Sequence, residues 1–228
     1  MSIRFIASLG VALVLGACGE KPKIETAAEK PPVPVETKSA ATSELEGKEV
    51  AVIRTNTGEI VLRFYEADAP KTVAEFKRLA QKNFYSRTTF HRVMAGRLIQ
   101  GGDPLSRDRD PYNDGTGNSG ITLPAEFNKH AFKPGTVGLA HGESSPDSGS
   151  CQFFICLVRQ PEWDGKYTAF AEVVEGIEVA RKISQAQTNP KAKVVQMRER
   201  PIREQLIESI RLERRESVQG PRSKVQGR

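Results

Sequence analysis

Phe90-His91-Arg92-Val93-Met94-Ala95-Gly96-Arg97-Leu98-Ile99-Gln100-Gly101-Gly102-Asp103 is the stretch that decides how this 228-residue chain is read. Strands are expected at Thr88–Val93 and Arg97–Gln100, so the segment places polar side chains within β structure. Successive side chains of a strand point to opposite faces. Arg92 and His91 must therefore diverge, with His91 packed or hydrogen-bonded on the far side. Gly101-Gly102-Asp103 lacks the spacing of a dinucleotide-binding glycine motif.

Outward from this stretch, Ile60, Leu62 and Phe64 alternate with Glu59, Val61 and Arg63, and Val50-Ala51-Val52-Ile53 precedes them. Thr55-Asn56-Thr57-Gly58 between the two runs predicts a hairpin. Asp68-Ala69-Pro70 reads as an N-cap and an early proline opening a helix whose apolar face is Val73, Phe76, Leu79 and Ala80. A second amphipathic helix is expected at Gly176–Ser184. Further strands are expected at Thr136–Ala140, Gln152–Leu157, Ala169–Val174 and Ile207–Glu213. Many short strands with two helices favour a closed β-barrel over a parallel α/β sheet. Phe76, Phe153, Phe170 and Cys156 are assigned to the core.

Composition fits a soluble globular domain: 38% hydrophobic, 27% charged, net charge +6. Three histidines, His91, His130 and His141, are far apart and lack metal-ligand spacing, and neither a phosphate loop nor a Gly-x-Ser-x-Gly elbow occurs. No metal or cofactor is expected. Cys151 and Cys156 lie five residues apart, which in a strand puts them on opposite faces and roughly 16 Å apart at about 3.3 Å per residue. Two free thiols follow, since a disulfide needs its Cα atoms within about 7 Å.

The stretch 90–103 closely resembles the cyclophilin signature, Phe-His-Arg followed by Gln-Gly-Gly-Asp at this spacing. Three more segments agree in order: Ala69–Phe76 (with Glu75 where asparagine is usual), Ser150–Cys156 and Asp164–Phe170. The resemblance covers about Glu49 to Glu213. It implies a mainly β fold, a closed eight-stranded antiparallel barrel capped by two α-helices, and peptidyl-prolyl cis-trans isomerase (rotamase) activity on proline-containing polypeptides. Arg92 is implied as the catalytic group. Phe90, Leu98 and Phe154 match positions that hold the proline ring, and Gln100 one that hydrogen-bonds substrate backbone. Ala140 and His141 are candidate contacts through their backbones, and Trp163 or Tyr167 should border the pocket.

The chemistry suits these residue types. Rotation about an X–Pro bond faces a barrier of about 18–20 kcal/mol from amide resonance. Lowering it requires a site that fits the twisted imide better than either planar form. The twisted prolyl nitrogen regains its lone pair, and an arginine offers a permanently charged, rigid fork of donors to it.

Three departures from the family pattern bear on substrate range. Arg97 replaces a pocket-wall phenylalanine, although its stem can still cover apolar surface. Pro104–Asp114 is a polar insertion, expected to be a solvated loop because its acidic residues lack EF-hand spacing. The loop Glu143–Ser148 is slightly long.

Both ends carry separate signals. Residues 1–17 read as a secretory signal: Arg4, the apolar run Ile6–Leu15, then Gly16-Ala17. Leu15-Gly16-Ala17-Cys18 resembles the bacterial lipobox, which implies a lipoprotein held to a membrane by acylated Cys18. Residues 18–46, rich in Pro, Lys and Glu, read as a flexible tether, 47–214 as the isomerase domain and 215–228 as a basic disordered tail. The expected location is the bacterial envelope. Gly19, where a retention signal would have aspartate, directs it to the periplasmic face of the outer membrane in a Gram-negative cell. A monomer with no nucleic-acid partner is expected. The alternatives are a proline-peptide-binding module or chaperone with little turnover, which Arg97 keeps open, and a small-ligand barrel.

Overall fold

The computed structural model describes residues 47–108 and 110–215. The signal, the tether with Cys18 and all but the first residue of the tail lie outside these residues. Nine strands and two α-helices follow one another as β1 (Glu49–Thr55), β2 (Gly58–Phe64), α1 (Pro70–Gln81), β3 (Thr88–Thr89), β4 (Arg92–Met94) and β5 (Leu98–Gly101), then β6 (Thr136–Leu139), β7 (Phe153–Cys156), β8 (Ala169–Glu175), α2 (Ile177–Ser184) and β9 (Leu206–Arg214).

The strands form one antiparallel sheet in the order β3-β9-β1-β2-β8-β6-β7-β5-β4. Its two edges, β3 and β4, are joined by Phe90-His91 alone, so the sheet curls until its edges lie on consecutive chain. Eight strands were expected, and nine appear because Thr88–Val93 is split. The Phe90 N–H donates to the Gln205 carbonyl beside β9 at 2.8 Å, whereas the Val93 N–H donates to the Glu199 carbonyl at 2.8 Å. The chain thus crosses from one edge to the other, and the barrel is closed covalently rather than by a ladder. The domain margins are tied as well: the Gly47 N–H donates to the Arg215 carbonyl at 2.8 Å.

Period-two alternation places Ala51, Ile53, Ile60, Leu62, Ile99 and Ile155 inside the curl, all fully buried. Phe76 of α1 enters the same interior, with ring centroids 5.1–5.9 Å from Tyr85, Phe170, Phe153 and Phe64. Ala180 and Ile183 of α2 join it, α1 lying against β8 and β9 and α2 against β2, β4 and β5. Cys151 and Cys156 are free and belong to different apolar clusters, as their odd spacing required. Burial pushes both thiols up to about 12.

The start of α1 differs from its sequence reading. Ala69, not Asp68, is the N-cap residue, and it has no side-chain cap. Asp68 turns to His130 at 2.9 Å. The N–H groups of Lys71 and Thr72, in the first turn, donate instead to the two carboxylate oxygens of Glu126, at 2.9 and 2.8 Å. A carboxylate from a distant loop thus meets the positive end of the helix.

His91 packs as expected but without hydrogen bonds. It is 6% exposed, and neither ring nitrogen has a hydrogen-bond partner among the described residues. Burial lowers its pKa to about 4, with the Asp103 carboxylate and Thr89 backbone opposing and Arg92 and Arg200 reinforcing the shift.

Two stability measurements check this account. Glu126→Ala costs about 1 kcal/mol in urea unfolding, whereas Asp68→Ala stays within about 0.5 kcal/mol; the reverse ranking would restore Asp68 as the cap. His91 is held neutral in the fold but protonates near 6.5 when unfolded. Its contribution is complete above pH 6.5 and drains away as pH falls toward 4, at about 1.4 kcal/mol per unit. His91→Phe therefore flattens the pH dependence of the urea midpoint between pH 6.5 and 4; an unaltered slope contradicts this.

Candidate active site

The register across four strands assembles the site. Arg92 of β4 lies opposite Gln100 of β5, Gln100 opposite Phe154 of β7, and Phe154 opposite Gly138 of β6. Directly opposed residues share a sheet face. These four therefore form one row, on the face away from Val93, Ile99, Ile155 and Val137 of the core. Leu98, two residues before Gln100, is on the row's face, opposite Cys156.

Phe154 anchors the apolar half of the site. Its ring stacks on Phe132 at 5.6 Å and meets Trp163 and Tyr167 edge-on at 5.3 and 5.4 Å. Such pairings favour a fixed ring orientation. Gly138 makes the stack possible: a Cβ there would stand 2.4 Å from the Phe154 ring and 2.8 Å from that of Phe132. Asp164 latches this region, accepting from the Phe132 N–H at 2.9 Å and from Arg159, whose hydrogen bond holds the Asp164 carboxyl below the usual range. Trp163 and Tyr167 thus both border the same aromatic surface, with Tyr167 stacked at 4.4 Å on His141.

The polar half runs from Arg92. Its Nη1 donates to Gln100 Oε1 at 3.3 Å, and Gln100 Nε2 to Gln152 Oε1 at 3.1 Å. Gln152 in turn donates to the carbonyls of Gly115 and Gly117 at 3.0 and 2.9 Å. Beside this chain opens a cavity of about 330 Å³, walled in part by Gln100, Gln152, Ala140, His141 and Thr116. The His141 ring lies between two carbonyls, of Gly142 at 2.9 Å and Lys166 at 3.0 Å.

Several sequence expectations change. Phe90 is fully buried, edge-on to Phe153 at 6.1 Å, so it supports the barrel and cannot touch a ligand. It neighbours the row in sequence but sits at the crossing between β3 and β4, with its ring inside. The Ala140 N–H is spent on the Gln152 carbonyl at 2.9 Å, so a backbone contact there falls to its C=O. Arg97 covers apolar surface, as its length allows, but its charge is paired: the guanidinium lies over Trp163 at 5.5 Å and binds Gln160 and Glu162 at 3.0 and 3.2 Å. The insertion is no solvated loop at its ends. Buried Asp103 accepts from the N–H groups of Leu105, Gly115 and Gly117, closing its base. A Cβ on Gly117 would fall 2.0 Å from the Asp103 carboxylate.

Sequence reasoning missed Gln152, Phe132, Asp103 and Glu199. Gln152 and Asp103 stood inside recognised segments and carried a readable signal. Phe132 and Glu199 stood in stretches without a motif; Glu199 reaches Arg92 across 107 positions.

Comparison with known proteins agrees with this geometry. The family model for "Cyclophilin type peptidyl-prolyl cis-trans isomerase/CLD" matches residues 50–211. A peptidyl-prolyl cis-trans isomerase of Helicobacter pylori is 39% identical over 156 residues, 67% of this chain and 90% of that one. A probable isomerase of the same type from Brucella abortus is 36% identical over 154 residues, 65% and 76% of the two chains. Among solved structures, a Cryptosporidium parvum cyclophilin-type isomerase crystallised in the presence of the dipeptide Ala-Pro has a TM-score of 0.63 and 25% identity. That similarity covers 72% of this chain and 98% of that one. A curled antiparallel sheet with two helices, matched by the family model along nearly its whole length, makes this chain a member of the cyclophilin-type peptidyl-prolyl cis-trans isomerases.

Proposed function

We propose that this isomerase acts on X–Pro bonds of exported polypeptides, with Arg92 as the catalytic residue and the surface of Leu98, Phe154, Trp163 and Tyr167 as the seat of the proline ring. The observation that carries this reading is the single row that sets a guanidinium and an aromatic ring on one sheet face with Gln100 between them. A proline seated against Phe154 brings its imide nitrogen toward the Arg92 end of the row. As the amide twists, conjugation is lost and the nitrogen becomes a hydrogen-bond acceptor. A donor fixed there stabilises the twisted form more than either planar form, which is what lowers the barrier. Gln100 and the carbonyl of Ala140 are placed to hold the neighbouring backbone. The aromatic stack supplies apolar contact without drawing on the charge.

Arg97 bears on the reading as a binder without turnover. Its charge is taken up by Glu162 and its guanidinium covers Trp163, which keeps the wall closed and supports turnover.

We further propose that Cys18 is acylated and holds the enzyme in the bacterial envelope, at the periplasmic face of the outer membrane in a Gram-negative cell, where it meets emerging chains. Uncatalysed X–Pro isomerisation takes tens to hundreds of seconds, slow enough to limit their folding. Acyl chains contribute about 0.8 kcal/mol per buried CH₂, and more than one is needed for stable anchoring.

In a protease-coupled assay on a short X–Pro peptide, Arg92→Ala lowers kcat/KM about 100-fold, by comparison with the loss of one fixed donor at other active sites. Turnover at the wild-type rate would remove Arg92 from the mechanism. In fractionated cells, Cys18→Ser moves the protein from the membrane to the soluble fraction; an unchanged membrane share rules out the acyl anchor.

A further inference from the structure

The Glu199 carboxylate lies 2.5 Å from Arg92 Nε. Glu199 belongs to the segment between α2 and β9, which is held independently of Arg92. Its own carbonyl accepts from the Val93 N–H, which stitches the segment to β4 one residue from the arginine. The next residue, Arg200, pairs at 2.5 Å with Asp114 at the end of the insertion, and both side chains are largely buried, 17% and 7% exposed. The insertion is in turn pinned at its base by Asp103. One loop thus reaches the Arg92 guanidinium through Glu199, and the insertion braces that loop through Arg200.

The direction of approach matters. A guanidinium holds its Nε and terminal N–H donors in one rigid plane, in fixed directions, so fixing one of them fixes the rest. Glu199 takes the Nε edge. Nη1 donates to Gln100 at 3.3 Å along the row, and among the described residues Nη2 meets only the weak Met94 sulfur acceptor at 3.8 Å. The charged acceptor thus holds Nε, and Nη1 is left to Gln100 on the row. Without that anchor, the long arginine stem would sample several rotamers.

We propose that Glu199 is the positioning residue of Arg92: by holding Nε it aims the terminal nitrogens along the row toward the seat of the proline ring. This rests on the catalytic role given to Arg92 above. It sets the insertion and the α2–β9 segment as a brace for the reaction, not a variable ornament. A misplacement of a catalytic group by about 1 Å can cost as much as 100-fold in rate, so the consequence falls on kcat and not on substrate affinity.

The test compares kcat and KM separately on an X–Pro peptide, and reads the Arg92 Nε–H resonance by NMR, in the full-length protein. Glu199→Ala lowers kcat about tenfold with KM within about twofold, and shifts the Arg92 Nε–H resonance. Glu199→Gln, which keeps an oxygen for Nε, recovers most of kcat. Glu199→Asp withdraws the carboxylate by one methylene and lowers kcat several-fold; it serves the same purpose should the alanine variant not fold. Combined with Arg92→Ala, Glu199→Ala adds no further loss. Wild-type kcat in Glu199→Ala or Glu199→Asp, with Arg92→Ala inactive, overturns the positioning role and leaves the pair a surface contact. Wild-type turnover in Arg92→Ala is a separate result, which removes the catalytic reading and this proposal with it.

Discussion

Antiparallel pairing of β4, β5, β7 and β6 in a single register underlies every other feature of the site. It carries Arg92, Gln100, Phe154 and Gly138 across one face and Val93, Ile99, Ile155 and Val137 across the other. Because side chains alternate, a slip of one residue would turn Arg92 into the barrel and His91 out of it. The buried side chains of the inner face oppose that slip, since a charge in an apolar interior is strongly disfavoured. Core packing and the aim of the cleft are therefore one constraint seen from two sides.

The two halves of the cleft are built by different forces. The apolar half is a stack of rings whose order depends on close approach at Gly138. The polar half is a hydrogen-bond chain from Arg92 through Gln100 and Gln152 to backbone carbonyls of the insertion. Each member of that chain has its partner, so the donors and acceptors facing the cleft are oriented before a substrate arrives. Such preorganisation suits a reaction in which no covalent bond to the protein is made and only the shape and polarity of an amide change.

Buried polar groups set the limits of the arrangement. Asp103 is satisfied by three backbone N–H groups and organises the insertion. His91, one residue from Arg92, is buried without such compensation and stays neutral. A neutral imidazole there adds no second positive charge beside the guanidinium.

The sequence by itself determined the strand pattern, the two helices, the free thiols, the core assignment of Phe76, Phe153 and Phe170, and the family. All but the family follow from local periodicity, which needs no knowledge of what lies across the sheet; the family follows from the resemblance of the ordered motifs around Arg92. It also singled out Arg92, Gln100 and Phe154, which the register sets in one row, with Leu98 on the same face and Trp163 and Tyr167 against Phe154, because all six sit within recognisable segments. Tertiary structure alone decided the rest. Phe90 turned inward because the chain crosses between edges there. Glu126 displaced Asp68 as the cap of α1 because a distant carboxylate reached the helix end first. Glu199 met Arg92 because the segment between α2 and β9 folds back against β4. In each case the partner lies tens of residues away or more, and charge or hydrogen bonding chooses it by distance in space, which no local pattern encodes.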